Sequence, residues 1–208
     1  MQTKIVELDS QRRDAILNAA LKEFASQGYD NASTNVIAKE AGISKALMFH
    51  YVKSKQELFL YVYDYFNELL NKEYYSKIDY CEKDIFARLR LSYLLQIELL
   101  KQYPCILDFN KLSAMTNSDE INRELESRAK QKPSYEIFDG IDTSRFRQEL
   151  DIGKCKQFIL WVNIGFIDQI LNDIRNLQDC HPDYEQIAAT LDDYLQELQK
   201  VFYTPIYE

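Results

Sequence analysis

Glycine and proline are scarce in this chain, five and four among 208 residues. That scarcity argues against a turn-rich β architecture and for helices. Histidine occurs only as His50 and His181, and Cys81, Cys105, Cys155 and Cys180 are scattered with no CxxC pair. No metal site or disulfide framework is expected, and reduced thiols in a cytoplasmic protein are the simpler reading. No run of eighteen apolar residues occurs, so no membrane span is expected. The opening MQTKIVELDSQRRD has no apolar core and does not read as a signal peptide. There is no GxSxG, no HExxH and no phosphate-cradling glycine loop. Glu149 and Asp151 lie two apart on an expected loop, and surface carboxylates of that kind are common. Neither enzymatic activity nor a cofactor is expected. A hydrophobic content of 46% is that of a globular chain, long enough for one or two domains with a sizeable core.

Positive charge is scarce as well, but unevenly so. The formal net charge is -8. Residues 1–57 hold eight Lys/Arg against seven Asp/Glu, net +1, and residues 58–208 hold 17 against 26, net -9. Between Ser44 and Lys55 stand Lys45, Lys53 and Lys55 and no acid. An acidic protein that keeps one acid-free basic patch has a use for it on a polyanion, and its acidic remainder orients that patch toward the polyanion.

The patch belongs to residues 33–59, STNVIAKEAGISKALMFHYVKSKQELF. Ser33 is suited to cap a helix on which Val36, Ile37 and Ala41 share an inward face. Gly42 permits the positive φ of a sharp helix-to-helix turn, which Ile43 plugs. Ser44 caps a second helix, with Lys45, Ala46 and Phe49 outward and Met48 and Val52 inward. Ser54 and Glu57 form a capping box, so a third helix starts there. Lys55, in its first turn, can meet a phosphate. This is the layout of a helix-turn-helix that reads DNA. An ordinary three-helix cluster with solvated lysines would explain the basic run alone, but not the whole pattern.

The segment resembles the TetR family of transcriptional repressors. The resemblance rests on Thr34, Ile37, Ala38, Ala41, Gly42, Ile43, Ser44, Met48, Tyr51, Val52, Ser54, Lys55 and Leu58. It extends back from there through a first helix, Arg12 to Gly28, and covers about the first sixty residues. It implies that Thr34, Tyr51 and Lys55 touch phosphate and that Asn35, Lys45, Ala46 and Phe49 face base edges. Asn can pair with adenine and Lys with guanine, while Ala46 and Phe49 can contact thymine methyls. Two positions depart from the family. Phe49 stands where tyrosine is usual, which removes a hydroxyl contact. Leu47 stands where a polar phosphate-binding residue is common.

The remainder reads as helical. A first helix over Ser10–Gln27 buries Ile16, Leu17, Ala20, Leu21 and Phe24 and ends at Gly28. A long helix runs from Ser54 toward Lys77, and another from Asp84 to Tyr103, ended by Pro104. Cys105–Met115 is expected to be short and helical, Ser118–Lys132 a helix with an acidic start, and 140–153 a connection with one helical turn. The helix Gly153–Asn176 is apolar nearly all round and must be buried on more than one side. Asp183–Phe202 is the last helix, capped by Asp183 with Gln186.

These features predict an all-α fold: an N-terminal three-helix helix-turn-helix domain, 1–57, and a C-terminal helical ligand-binding and dimerisation domain, 58–208. The last two helices are expected to pair with their own copies, with Ile167, Leu171, Ile174, Leu191, Leu195 and Leu198 in the seam, although such a stripe fits core packing equally well. The resemblance implies a ligand pocket, and the helix reading gives Tyr93, Ile97, Phe109, Met115, Phe138, Trp161 and Phe166 as lining. The fifteen tyrosines, taken singly, are more simply packing residues. The expected function is a homodimeric, ligand-responsive transcriptional regulator that represses from a pseudo-palindromic double-stranded DNA operator. A small apolar or cationic molecule would release it. The alternative is a helical dimeric adaptor on the same fold, without selective DNA binding.

Overall fold

The computed structural model describes residues 4–108, 116–129, 136–176 and 182–205. Among these residues there are eight α-helices and no β-strand. The chain packs as two compact units, Met1–Lys77 with Glu98–Ser134, and Ile78–Ile97 with Tyr135–Glu208. This packing division is not the functional division expected after residue 57.

In the first unit, α1 (Ser10–Asn31) is capped by Asp9, whose carboxylate accepts from the Arg12 N–H at 3.0 Å. Gly28, at φ 71° and ψ 169°, interrupts α1 where a C-terminal glycine was expected. The short helices α2 (Thr34–Glu40) and α3 (Lys45–Tyr51) follow, and then α4 (Lys55–Glu73). Ile16, Leu17, Leu21 and Phe24 of α1, Ile37 of α2, Met48 of α3 and Leu58, Phe59, Val62 and Phe66 of α4 are wholly buried. Phe59 meets Phe24 edge-on at 5.0 Å and Tyr29 at 5.1 Å. This shared core is why α4 packs with the helix-turn-helix, since each buried large side chain contributes about 1.5–3 kcal/mol. Unit one also holds α6 (Asp119–Ala129), which begins on Asp119 and Glu120 as its acidic start predicts.

Helix α5 (Ile85–Gln102) stops before Pro104 and contributes to both units. Beyond it, a 3-10 turn spans 106–108, and residues 109–115 of the expected short helix lie outside the described residues.

The second unit is built from the start of α5, from α7 (Ile152–Asn176) and from α8 (Tyr184–Phe202). Its core joins Ile85, Phe86, Leu89, Tyr93, Cys155, Ile159, Leu191, Leu195 and Phe202. The connection before α7 holds turns rather than the expected helical turn. Phe146 forms an isolated antiparallel bridge with Tyr203, and the Arg147 N–H donates to the Phe202 carbonyl at 3.0 Å. Arg88 is fully buried, and its guanidinium donates to the carbonyls of Tyr80, Glu82, Ile137 and Asp139. It thereby closes two connections onto α5. No described helix is long and apolar enough to cross a membrane.

Candidate nucleic-acid interface

The turn between α2 and α3 is fixed by backbone geometry. Gly42 has φ +70°, its N–H donates to the Lys39 carbonyl at 3.1 Å, and the Ile43 N–H donates to the Ala38 carbonyl at 2.9 Å. That pair of bonds is the Schellman ending of a helix, which needs a left-handed residue where Gly42 stands. The chain then enters α3 through Ser44, whose hydroxyl accepts from the Leu47 N–H at 3.1 Å. Met48 and Val52 are buried and fasten α3 to the core. Lys45, Ala46, Leu47, Phe49 and His50 are left exposed. Lys45 and Phe49, four apart, share a face, with the ammonium 6.0 Å from the ring centroid. The expected outward and inward sides of α3 are therefore the observed ones.

Helix α2 departs from the expected detail. Ser33 holds the N-cap position but makes no side-chain cap bond. Its own N–H donates instead to the Glu23 carboxylate of α1 at 2.8 Å. Val36, expected inward, is 45% exposed, and Ala38 is buried beside Ile37. With helical spacing of 100° per residue, an inward Ile37 and Ala38 carry the face away from Val36. Thr34 is half-buried and Asn35 is exposed. Tyr51 is half-buried, edge-on to His50 at 5.6 Å.

The third helix start works as a modified capping box. Ser54 accepts from the Glu57 N–H at 3.1 Å, and Glu57 reaches back to the Lys53 N–H at 2.7 Å. Lys55 does not point its ammonium to open solvent. It donates to the carbonyls of Asp30 at 3.0 Å and Ala32 at 3.3 Å, and lies 4.8 Å from the Tyr29 ring centroid. A cation at the carbonyl end of α1 is favourable on its own account.

The acids of this region have structural partners. Asp9 caps α1, Glu23 holds Ser33, Glu57 holds Lys53, and Asp14 accepts from the buried Tyr103 hydroxyl at 3.0 Å. Glu40 pairs with Lys22, and that hydrogen bond holds the Lys22 ammonium above the usual lysine range. Asp30 accepts from the Asn117 N–H at 2.6 Å. The exposed face of α3 carries lysine and no carboxylate. Glu23 and the carbonyl partners of Lys55 were not legible beforehand, because both contacts join residues that no local motif relates.

The second unit contains a cavity of about 200 Å3, lined by Tyr93, Val162, Asn163, Phe166, Gln169, Leu191, Tyr194, Leu195 and Leu198. Two of the expected lining residues, Tyr93 and Phe166, meet there edge-on at 5.6 Å. Ile97 is buried elsewhere, Phe138 is half-buried against the core, and Trp161 is 57% exposed. Phe109 and Met115 lie outside the described residues. The expected seam residues Leu171, Leu191 and Leu195 are buried in their own chain, and Ile167, Ile174 and Leu198 are half-buried. Helix α7 is buried on one side only. Its exposed apolar residues are Phe158, Leu160, Trp161, Val162 and Ile164, and those of α8 are Tyr194 and Val201. A heptad-like stripe marks the side that is buried in the subunit just as well as a seam.

Comparison with known proteins agrees with this geometry. The family model described as bacterial regulatory proteins, tetR family, matches residues 16–62. The chain is 24% identical over 172 residues to the fatty acid metabolism regulator protein of Bacillus subtilis, covering 76% of this chain and 83% of that one. Over 55 residues it is 42% identical to the HTH-type transcriptional regulator BetI of Agrobacterium fabrum, 26% of this chain and 27% of that one. Its fold superposes on AibR, solved with isovaleryl coenzyme A and operator DNA, with a TM-score of 0.56, 20% identity, and 90% and 97% of the two chains covered. Over residues 16–62 the chain therefore has the sequence of the tetR family of bacterial regulatory proteins.

Proposed function

We propose that the protein is a ligand-responsive repressor that binds a pseudo-palindromic operator as a homodimer. The observation that carries this reading is α3, held by Ser44, Met48 and Val52 with Lys45, Ala46 and Phe49 turned outward. Asn35, Lys45, Ala46 and Phe49 read base edges, while Thr34 and Tyr51 contact phosphate. Ser44 sets the direction in which α3 enters the groove. Lys55 acts at one remove, by joining the end of α1 to the start of α4. Functionally the chain divides near residue 57, with DNA reading before it and sensing and assembly after it.

The dimer forms through the exposed apolar faces of α7 and α8, which include Phe158, Trp161 and Val201. Exposed apolar residues of that number mark an interaction surface, and a closed two-fold matches a two-fold operator. The effector is a largely apolar small molecule that enters the cavity around Tyr93 and Phe166. The Bacillus subtilis relative regulates fatty acid metabolism and AibR was solved with an acyl coenzyme A, which favours small-molecule control here. The ligand acts by binding one of two states more tightly, so it shifts their populations.

Mobility-shift titration tests the reading. The protein should retain a selected DNA duplex in an excess of random competitor and lose it on addition of ligand. Equal retention of selected and random duplexes would refute it and favour an adaptor.

A further inference from the structure

Asn163 is a polar residue on the apolar, buried side of α7, 9% exposed, between Ile159 and Phe166. Its amide nitrogen donates to the Ile159 carbonyl at 2.6 Å, and its oxygen accepts from the Tyr93 hydroxyl. An asparagine amide has two N–H groups, so one remains without a partner among the described residues. Leucine would fill this position without that cost, because a buried donor left unpaired is unfavourable. Asn163 is one of the residues that line the cavity, which is where a partner for the spare donor can be supplied.

The rest of the wall limits what can meet that donor. None of the nine lining residues carries a charge, and the other polar groups are the hydroxyls of Tyr93 and Tyr194 and the amide of Gln169. An ion set against such a wall gains no countercharge from it. At about 200 Å3 the cavity is below the roughly 300–1,000 Å3 of pockets for drug-sized ligands. It is close to the roughly 150 Å3 at which an apolar cavity takes up a benzene ring.

We infer that the cavity takes a small uncharged molecule, one ring or a short branched chain, bearing a single hydrogen-bond acceptor, and that Asn163 selects it. This deepens the ligand-site reading above and rests on it. It sets aside the cationic ligand considered from sequence, and it disfavours carboxylates.

Benzyl alcohol, toluene, benzoate and benzylamine have similar shapes and differ in polarity and charge. Binding of each to the full chain is measured by NMR titration, for the unmodified protein, for Asn163→Leu and for Leu198→Trp, which fills the cavity. Benzyl alcohol should bind several-fold tighter than toluene, and both charged compounds at least tenfold weaker than benzyl alcohol. Asn163→Leu should reverse the first preference, and Leu198→Trp should abolish binding of all four. If benzoate or benzylamine binds the unmodified protein as tightly as benzyl alcohol, and Leu198→Trp abolishes it, the site stands and the ligand class is overturned. If Asn163→Leu leaves the preference unchanged, Asn163 is not the selector. If no compound binds, or Leu198→Trp changes nothing, the ligand-site reading falls with the inference. The comparison of the four compounds on the unmodified protein decides the ligand class even where a variant does not fold.

Discussion

Lys55 donates its ammonium to the Asp30 carbonyl at 3.0 Å, so a residue at the start of α4 closes the end of α1. Its second bond, to Ala32, holds the strand of chain that leads into α2. The lysine therefore fixes the frame on which the helix-turn-helix is mounted.

Replacing Lys55 with Ala should cost about 1–2 kcal/mol of stability, because it removes charge-assisted bonds to two carbonyls and a ring contact. Its effect on the salt dependence of DNA binding should be small. A lysine on phosphate contributes about -0.9 to the slope of log K against log salt, so two per dimer would contribute about -1.8. A slope that falls by about two units in Lys55→Ala would show that the lysine leaves the carbonyls for the duplex.

Lys45 should behave differently, being exposed on α3 with its ammonium over the Phe49 ring. Lys45→Ala should weaken a selected duplex by about 1–3 kcal/mol per base contact and random DNA much less. Equal losses on both, read by fluorescence anisotropy, would make Lys45 a backbone contact.

Assembly and core can be separated by two substitutions. Trp161, more than half exposed on α7, should give a folded monomer when changed to Glu. Leu195, buried in the second unit, should when changed to Ala lose about 2–5 kcal/mol of stability through the cavity left behind. Light scattering with thermal melting distinguishes them. A Trp161→Glu protein that stays dimeric would move the interface elsewhere.

Tyr103 offers a pH test. It is buried, hydrogen-bonded to Tyr65 at 2.9 Å and to Asp14 at 3.0 Å. Burial first, and the Tyr65 hydroxyl next, push its phenol well above the usual tyrosine value. The neutral phenol is thus favoured in the fold, so its contribution is intact below the unfolded value of about 10 and is lost as pH rises beyond it. Tyr103→Phe should lower stability at neutral pH and flatten the alkaline decline. An unchanged alkaline limb would assign that decline to other groups.

What the sequence disclosed was what local chemistry decides. Gly42, Ser44, Met48, Val52 and Ser54 act as expected because caps, turns and one helical face depend on neighbours within a turn or two. Ser33 was misleading because Glu23, ten residues back, supplies its partner. Lys55 was read only as a phosphate contact, because its carbonyl partner Asp30 lies twenty-five residues away. The stripe on α8 was ambiguous in principle, since Leu191 and Leu195 look the same whether they face their own core or a second copy. Trp161 was expected to line the pocket, but it is 57% exposed and outside the cavity lining, because hydrophobicity does not say which side of α7 faces inward.

Whether α3 reads a two-fold DNA sequence is decided by selection from a random duplex pool with the full chain. One inverted repeat with half-sites about one helical turn apart should be enriched, and the double substitution Lys45→Ala, Phe49→Ala should lose that enrichment. A pool that stays random after repeated rounds, or an enriched sequence indifferent to both residues, would contradict that reading.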